Sequence, residues 1–306
     1  MRIALAGLAT THPYADARTL RTHADLVVWE EDPERLARFR AEHPQATVVP
    51  DLAALLAARP DGVVLTVPTP RIPDALAAVL ECDLPCFVNK PAAATAAQLA
   101  ALEPVVARAP HRVLSSSVLR FAPEFVPFCV DRADVLAARV TVRHSVEVWA
   151  GGYNPWQDDP DVGGGTLVTM GIHGVELLVA LLGPAVRLVG AAAGIRRYRT
   201  LRSEDTGVLA LRWEDGIPGT VEVLGVTGAE SYHVTVLTAD GSREVVLTGG
   251  ADAELALGYR ATIEAFLRMV DGAPSPVPWS ETRAVLGAVT AARLTATALE
   301  SYGRDR

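Results

Sequence analysis

The chain has 306 residues, of which half are hydrophobic, and its formal net charge at pH 7 is −8. A chain of this size has enough apolar residues for a folded core, and it usually divides into two domains. The negative charge argues against nucleic acid or an anionic membrane as the main partner, and the three cysteines are too few for a disulfide framework, so we expect a cytoplasmic protein with no metal site and no membrane span.

The first third of the sequence alternates short apolar strands with helical segments. Helices are expected between the strands, for instance after Asp32-Pro33, where the aspartate is a preferred N-cap and proline suits the first helical position. This alternation predicts a doubly wound parallel sheet, the Rossmann type of α/β fold, over residues 1–120. The predicted strands are residues 2–6, 25–29, 47–49, 62–67, 86–88 and 112–117.

The loop after the first strand stands where a dinucleotide fingerprint belongs. Gly7, Ala9 and His12 occupy its three glycine positions, and only the first is a glycine. Glu30 ends the second strand, where an acid binds the ribose hydroxyls of the adenosine. Because the run 30–32 has no neighbouring Arg or Lys, the sequence favours NAD(H) over NADP(H). A Rossmann-like sheet that has lost its nucleotide is the alternative.

Polar residues also follow the fourth and fifth strands. Thr66 and Pro68 leave the fourth strand, and Asn89 and Lys90 leave the fifth. Both positions lie at the carboxyl edge of the sheet, where such folds bind ligands. Lys90 can therefore reach into a cleft, although a solvated surface lysine is the alternative.

After residue 120 the pattern changes to longer alternating strands, which predict a second, α+β domain over residues 121–306 with a large, mostly antiparallel sheet. Three glycines, 163–165, lead into a buried helix that places Thr169, His173 and Glu176 on one face. A buried histidine and carboxylate need partners, which a binding site or a nearby backbone carbonyl can supply. The predicted strands are residues 137–149, 186–194, 207–214, 220–227, 232–238 and 242–247, with closing helices at 259–270 and 281–301.

These features together resemble the Gfo/Idh/MocA family of oxidoreductases over essentially the whole chain. The family's Glu-Lys-Pro motif corresponds to residues 89–91, and its Gly-Gly-Gly…Asp…Gly…His…Asp signature corresponds to residues 163–176. Asn89 and Thr169 replace the Glu of the first motif and the first Asp of the second. The resemblance implies a Rossmann domain, a second domain with a large open sheet, NAD(P) at their junction and a hydroxylated, sugar-like substrate.

The resemblance also implies roles for individual residues. Lys90 would polarise the substrate oxygen and His173 would be the acid/base. Further expected contacts are Gly7, Ala9, His12, Glu30, Thr66, Pro68, Asn89 and Lys90 for the cofactor, and Thr169, Glu176, Tyr153, Trp156 and Arg120 for the substrate. For Arg120 a structural ion pair is an equal alternative.

The sequence thus predicts an NAD(P)-dependent dehydrogenase or reductase that acts on a CH–OH group. A lyase or isomerase on the same scaffold, and a non-catalytic binding protein, are the alternatives. We also expect a homodimer or homotetramer paired through the open face of the second sheet. The side chains predicted on that face are Val208, Leu211, Val221, Val223, Val234 and Val236.

Overall fold

The computed structural model describes residues 1–128 and 130–304, so Cys129 lies outside the described residues. Its first sheet has six parallel strands in the order β3-β2-β1-β4-β5-β6. This is the doubly wound order that the alternating pattern predicted. The strands are β1 (Arg2–Ala6), β2 (Asp25–Trp29), β3 (Thr47–Val48), β4 (Gly62–Leu65), β5 (Cys86–Val88) and β6 (Val113–Leu114). The helices between them are α1 (His12–Leu20), α2 (Pro33–Glu42), α3 (Leu52–Ala57), α4 (Ile72–Glu81) and α5 (Ala96–Val106).

The second sheet is mixed. Its six strands run in the order β12-β11-β7-β10-β9-β8, with β7 and β10 parallel and the other neighbours antiparallel. The strands are β7 (Val135–Arg143), β8 (Val186–Gly194), β9 (Thr206–Trp213), β10 (Pro218–Leu224), β11 (Ser231–Thr238) and β12 (Gly241–Thr248). The helices of this half are α6 (Glu147–Ala150), α7 (Pro155–Asp158), α8 (Gly165–Thr169), α9 (Gly171–Leu182), α10 (Ala253–Ala256), α11 (Tyr259–Val270) and α12 (Trp279–Arg304).

Helix α11 packs on the first sheet although it belongs to the C-terminal part of the chain. Phe266 shares a buried cluster with Ile3 and Leu5 of β1. The helix approaches β4 so closely that a Cβ on Gly62 would lie 2.9 Å from the Phe266 ring. The domain division at residue 120 stays a prediction, and residues beyond it complete the core of the first sheet.

Two predicted elements are corrected. The strand predicted over 137–149 ends at Arg143, because the Ser145 hydroxyl accepts a hydrogen bond from the Glu147 N–H at 3.2 Å and the chain turns into α6. The helix predicted to carry Thr169, His173 and Glu176 is two helices, which meet at Met170. Thr169 therefore lies on a different helix from the other two residues.

The predicted open face of the second sheet is also corrected. Helix α9 packs so closely against this sheet that a Cβ on Gly174 would lie 2.4 Å from Val221 Cγ1. Since side chains alternate along a strand, the opposite face carries the neighbouring residues. Of the predicted set, Val208 is 40% exposed, and the side chains buried on the helix side are Leu211, Val221, Val223, Val234 and Val236.

The residues from 165 to 182 form the one segment of the described chain that is long and apolar enough to cross a membrane. Within the protein, 89% of this segment is buried. It comprises α8 and α9, whose side chains are mostly buried in the protein core.

Candidate active site

A cavity of about 160 Å³ opens at the carboxyl edge of the first sheet. Gly7 has a φ of +87°, and a Cβ there would lie 2.5 Å from the Thr66 carbonyl oxygen, so the loop after β1 needs glycine to pass so close to β4. Five of the predicted cofactor residues line this cavity, namely Gly7, Ala9, Glu30, Thr66 and Pro68.

The residues at this edge fit a dinucleotide. Helix α1 follows the glycine loop, and the Thr11 side chain does not cap its first turn. Glu30 accepts hydrogen bonds from the Leu8 and Asp32 N–H groups. A carboxylate has further lone pairs, so Glu30 retains the capacity to bind ribose hydroxyls.

Two arginines reach the same cavity, and the sequence analysis missed both. Arg71, at the end of the turn after β4, binds Glu31 through two hydrogen bonds of 2.6 and 2.8 Å. Arg35 on α2 donates to the Asn154 side-chain oxygen at 2.7 Å. The run 30–32 therefore has basic neighbours in space that it lacks in sequence.

A second cavity, of about 270 Å³, lies next to the first. The loop from Ala9 to His12 joins them, because Ala9 lines the first cavity and Thr10, Thr11 and His12 line the second. Lys90 and His173 meet here, one from the end of β5 and one from α9. The remaining lining residues are His144, Ser145, Val148, Trp149, Tyr153, Gln157, Met170, Glu230, Tyr232 and Tyr259.

The break between α8 and α9 creates the contact for Lys90. The His173 N–H donates to the Met170 carbonyl, and the Thr169 carbonyl accepts a hydrogen bond from Lys90 Nζ at 3.2 Å. Burial lowers the pKa of Lys90 to about 8, while the negative charge of Glu230 opposes this shift. At neutral pH Lys90 is therefore a cation that gives up its proton more easily than an exposed lysine.

His173 is buried, and its Nδ1 lies 2.6 Å from the Ser117 hydroxyl. Its ring centroid is 5.3 Å from that of Tyr232. Burial lowers the pKa of His173 well below its usual value, and the positive charge of Lys90 lowers it further. A lysine cation and a neutral imidazole thus line the same cavity.

Comparison with known proteins identifies the second domain. Residues 133–251 match the family model described as the GFO/IDH/MocA C-terminal domain. Over these residues the chain is similar to the Gfo/Idh/MocA family. No curated protein sequence matches it significantly.

Solved structures with the same fold cover almost the whole chain. GenD2 from gentamicin A biosynthesis, in complex with NAD, is 22% identical with a TM-score of 0.84, over 97% of this chain and 94% of that one. The scyllo-inositol dehydrogenase from Lactobacillus casei, with NAD(H) and scyllo-inositol, is 14% identical with a TM-score of 0.82, over 98% and 97%. The WlbA dehydrogenase from Bordetella pertussis, with NADH and UDP-GlcNAcA, is 20% identical with a TM-score of 0.79, over 97% and 95%.

His12, predicted to contact the cofactor, lines the second cavity and not the first. It begins α1, and its ring packs on Tyr259 with centroids 5.2 Å apart. Its Nδ1 is buried without a hydrogen-bond partner, and burial, reinforced by the charge of Lys90, lowers its pKa to about 3. His12 is therefore a neutral hydrogen-bonding group on the substrate side.

Four residues predicted to contact substrate do not line this cavity, namely Glu176, Arg120, Thr169 and Trp156. Glu176 accepts hydrogen bonds from Arg120 at 3.0 Å and from Ser116 at 2.8 Å, and Arg120 also pairs with Glu281 on α12. The structural ion pair was the alternative for Arg120. The Thr169 hydroxyl donates to the Gly165 carbonyl at 2.7 Å.

The loop before the glycine run presents a different residue from the predicted one. Trp156 lies on α7 with its indole N–H buried and without a partner, and its neighbour Gln157 lines the second cavity in its place. Tyr153 does line the cavity, as predicted.

Asn89, predicted to bind cofactor, lines neither cavity and lies in a buried polar cluster. Its amide donates to Thr66 Oγ1 at 2.7 Å and to Asp16 Oδ2 at 3.1 Å. Burial raises the pKa of Asp16 to about 7, and the hydrogen bond from Asn89 opposes the shift. Asn89 thus links the residue after β4, Thr66, to Asp16 on helix α1.

The sequence analysis also missed the carboxylate of the second cavity. Glu230 precedes β11, accepts a hydrogen bond from the Tyr232 hydroxyl at 2.6 Å and lies 4.0 Å from His144 Nε2. Glu230 and Tyr259 come from segments without a motif spacing, so no sequence signal connects them to Lys90. Among the described residues, no cluster of three His, Cys, Asp or Glu side chains forms a metal-binding group.

Proposed function

We propose that this protein is an NAD(P)-dependent oxidoreductase that acts on a hydroxyl or keto group of a sugar-like or polyol substrate. One observation carries the proposal: Lys90, at the end of β5, and His173, on α9, line one cavity, and this cavity adjoins the one at the carboxyl edge of the first sheet. The proteins of similar fold support it. GenD2 was solved with NAD, WlbA with NADH and UDP-GlcNAcA, and the Lactobacillus casei enzyme with NAD(H) and scyllo-inositol.

In this proposal, Gly7, Ala9, Glu30, Thr66 and Pro68 hold the dinucleotide. The acidic run after β2 favours NAD(H) over NADP(H). Bound NAD supplies the hydride acceptor for oxidation and, when reduced, the hydride donor for reduction.

Lys90 and His173 divide the remaining chemistry. The Lys90 ammonium donates a hydrogen bond to the reacting oxygen and stabilises the negative charge that develops there. With its proton on Nδ1, His173 donates to the Ser117 hydroxyl. Nε2 is then the nitrogen that takes the substrate's hydroxyl proton in oxidation and returns it in reduction.

The size of the second cavity limits the substrate. Its volume of about 270 Å³ is below the range of ~300–1,000 Å³ that is usual for drug-sized ligands. Neutral imidazoles and tyrosine hydroxyls, from His12, Tyr153 and Tyr259, line it beside Lys90. This lining suits the hydroxyl groups of a single sugar or cyclitol ring.

We also propose that the protein forms a cytoplasmic homodimer or homotetramer through the open face of its second sheet. That face is more polar than the sequence suggested, and the Thr141 hydroxyl donates to Glu222 at 3.3 Å across it. Exposed valines such as Val208 and Val246 interrupt the polar residues.

The enzymatic proposal is tested with calorimetry and absorbance. NAD⁺ should bind the purified protein, and adding scyllo-inositol, myo-inositol or simple hexoses should produce the reduced-nicotinamide band with at least one of them. Lys90→Met and His173→Asn should lower this rate by about 10²–10⁴-fold with unchanged melting curves. Near-parental rates in both variants, or no nucleotide binding, would refute the assignment.

A further inference from the structure

An ion pair between Arg71 and Glu31 lies at the first cavity, the one at the carboxyl edge of the first sheet. Arg71 and Glu31 both line the cavity, and the side chains are 47% and 58% exposed. The Arg71 guanidinium carbon lies 5.5 Å from the centroid of the Trp29 ring. The bidentate contact with Arg71 lowers the pKa of the Glu31 carboxyl, so Glu31 is charged at neutral pH.

The three neighbouring carboxylates of this run are held in different ways. Glu30 accepts from the Leu8 and Asp32 N–H groups. Asp32 caps α2 by accepting from the Glu34 and Arg35 N–H groups. Backbone N–H groups thus hold Glu30 and Asp32, and Asp32 also lies 3.7 Å from Arg35 Nε. Glu31, by contrast, is held by its bidentate ion pair with Arg71.

The charges here bear directly on the 2′ position of the adenosine ribose. A 2′-phosphate placed beside Glu30 would meet three carboxylates. The two arginines of the cavity are already engaged, Arg71 by Glu31, and Arg35 by Asp32 and Asn154. A 2′-hydroxyl meets no such repulsion and can donate to Glu30. Ion pairs as exposed as this one are weakly held, so removing one partner releases the other.

We propose that the Glu31–Arg71 ion pair sets the cofactor specificity of this site, an inference that rests on the proposed function. While Glu31 holds Arg71, the cavity accepts a 2′-hydroxyl and rejects a 2′-phosphate. Loss of the Glu31 charge frees the guanidinium, whose fork of donors matches a phosphate. The site then accepts the 2′-phosphate of NADP.

Calorimetric titration with NAD⁺ and NADP⁺ tests this in the full-length protein. Glu31→Gln should bind NADP⁺ about tenfold or more tighter than the parent does, since one charge-assisted bidentate contact is gained. It should keep the parental affinity for NAD⁺. The double variant Glu31→Gln with Arg71→Gln should lose the gain. Glu34→Gln removes one exposed carboxylate that does not contact Arg71, and it should leave both affinities unchanged.

The outcomes separate this inference from the proposed function. If the parent binds neither nucleotide, the proposed function fails and the specificity inference fails with it. If the parent binds NAD⁺ but Glu31→Gln leaves NADP⁺ binding unchanged, only the specificity inference is wrong. A gain that survives in the double variant, or that Glu34→Gln reproduces, assigns the effect to net charge and likewise overturns the role of Arg71.

Discussion

Lys90, at the end of β5, and His173, on α9, line one cavity, and burial lowers the pKa of both side chains. Desolvation weakens the hold of Lys90 on its proton and keeps His173 neutral. At neutral pH the pair therefore offers a cation for a developing oxyanion and a free base for a hydroxyl proton. Both properties follow from position rather than from residue type, so changes to neighbouring charges should alter them.

The pH dependence of kcat/KM should report Lys90. Since its pKa is lowered to about 8 and the ammonium is the active form, activity should be retained below this value and fall as the pH rises through it. Glu230→Gln removes the charge that opposes the lowering, so the alkaline limb should move to lower pH. Glu147→Gln, an exposed carboxylate outside the cavity lining, is the control and should not move it. An alkaline limb that moves upward in Glu230→Gln would contradict the assignment.

Thr169→Asp restores the acid that the family motif carries at this position. A carboxylate beside Lys90 and His173 favours the protonated form of both, so it should raise both pKa values. The acid and alkaline limbs of the rate profile should therefore both move to higher pH. Thr169→Asn, similar in shape but uncharged, should leave the limbs in place. Equal profiles for the Asp and Asn variants would show that position 169 does not act on the pair electrostatically.

At the scale of elements, the close approach of α9 to the second sheet positions His173. A Cβ on Gly174 would lie 2.4 Å from Val221 Cγ1, whereas one on Gly171 would make ordinary contacts at 3.6 Å. Gly174→Ala should therefore be less stable than Gly171→Ala by about 1–3 kcal/mol, the usual cost of overpacking a core. Urea denaturation of the two variants measures this difference. Equal stabilities would mean that the helix is not packed as tightly as described.

The sequence predicted the elements better than their faces. Alternating strands and helices with turn residues between them were sufficient for the parallel sheet. Its central strands are apolar on both faces, so the prediction needs no choice between faces. In the second sheet, a shift of one residue along a strand exchanges the buried and the open face. Val221 and Val223 were predicted on the open face, and this was wrong, because both are buried. Only the position of α9 decides between the two faces.

The two proposed catalytic residues were predictable because they stand at motif positions. Lys90 and His173 stand at motif positions and meet in the cavity as expected. Arg71, Glu230 and Tyr259 arrive from distant segments, and no spacing in the sequence links them to the site. Glu176 was misplaced because a helical period shows which side chains share a face, but not which partner that face meets.

At the scale of the whole molecule, the open face of the second sheet should be an interface. Light scattering at micromolar concentration should give a multiple of the 32.4 kDa chain mass. Val208→Glu places a charge on the open face and should shift the mass towards the monomer. Leu294→Glu, at an exposed position on α12, is the matched control and should leave the mass unchanged. A parental protein at 32.4 kDa would refute the pairing.

Transfer of a hydride between the substrate carbon and the nicotinamide is the central claim, and isotope transfer tests it most directly. The protein is incubated with NAD⁺ and a polyol that it oxidises, deuterated at its CH–OH carbons, and the recovered cofactor is analysed by mass spectrometry. The account predicts one deuterium in the reduced cofactor, and loss of this transfer in Lys90→Met. Deuterium released to the solvent while the cofactor stays unlabelled would contradict it and would favour a lyase or isomerase on the same scaffold.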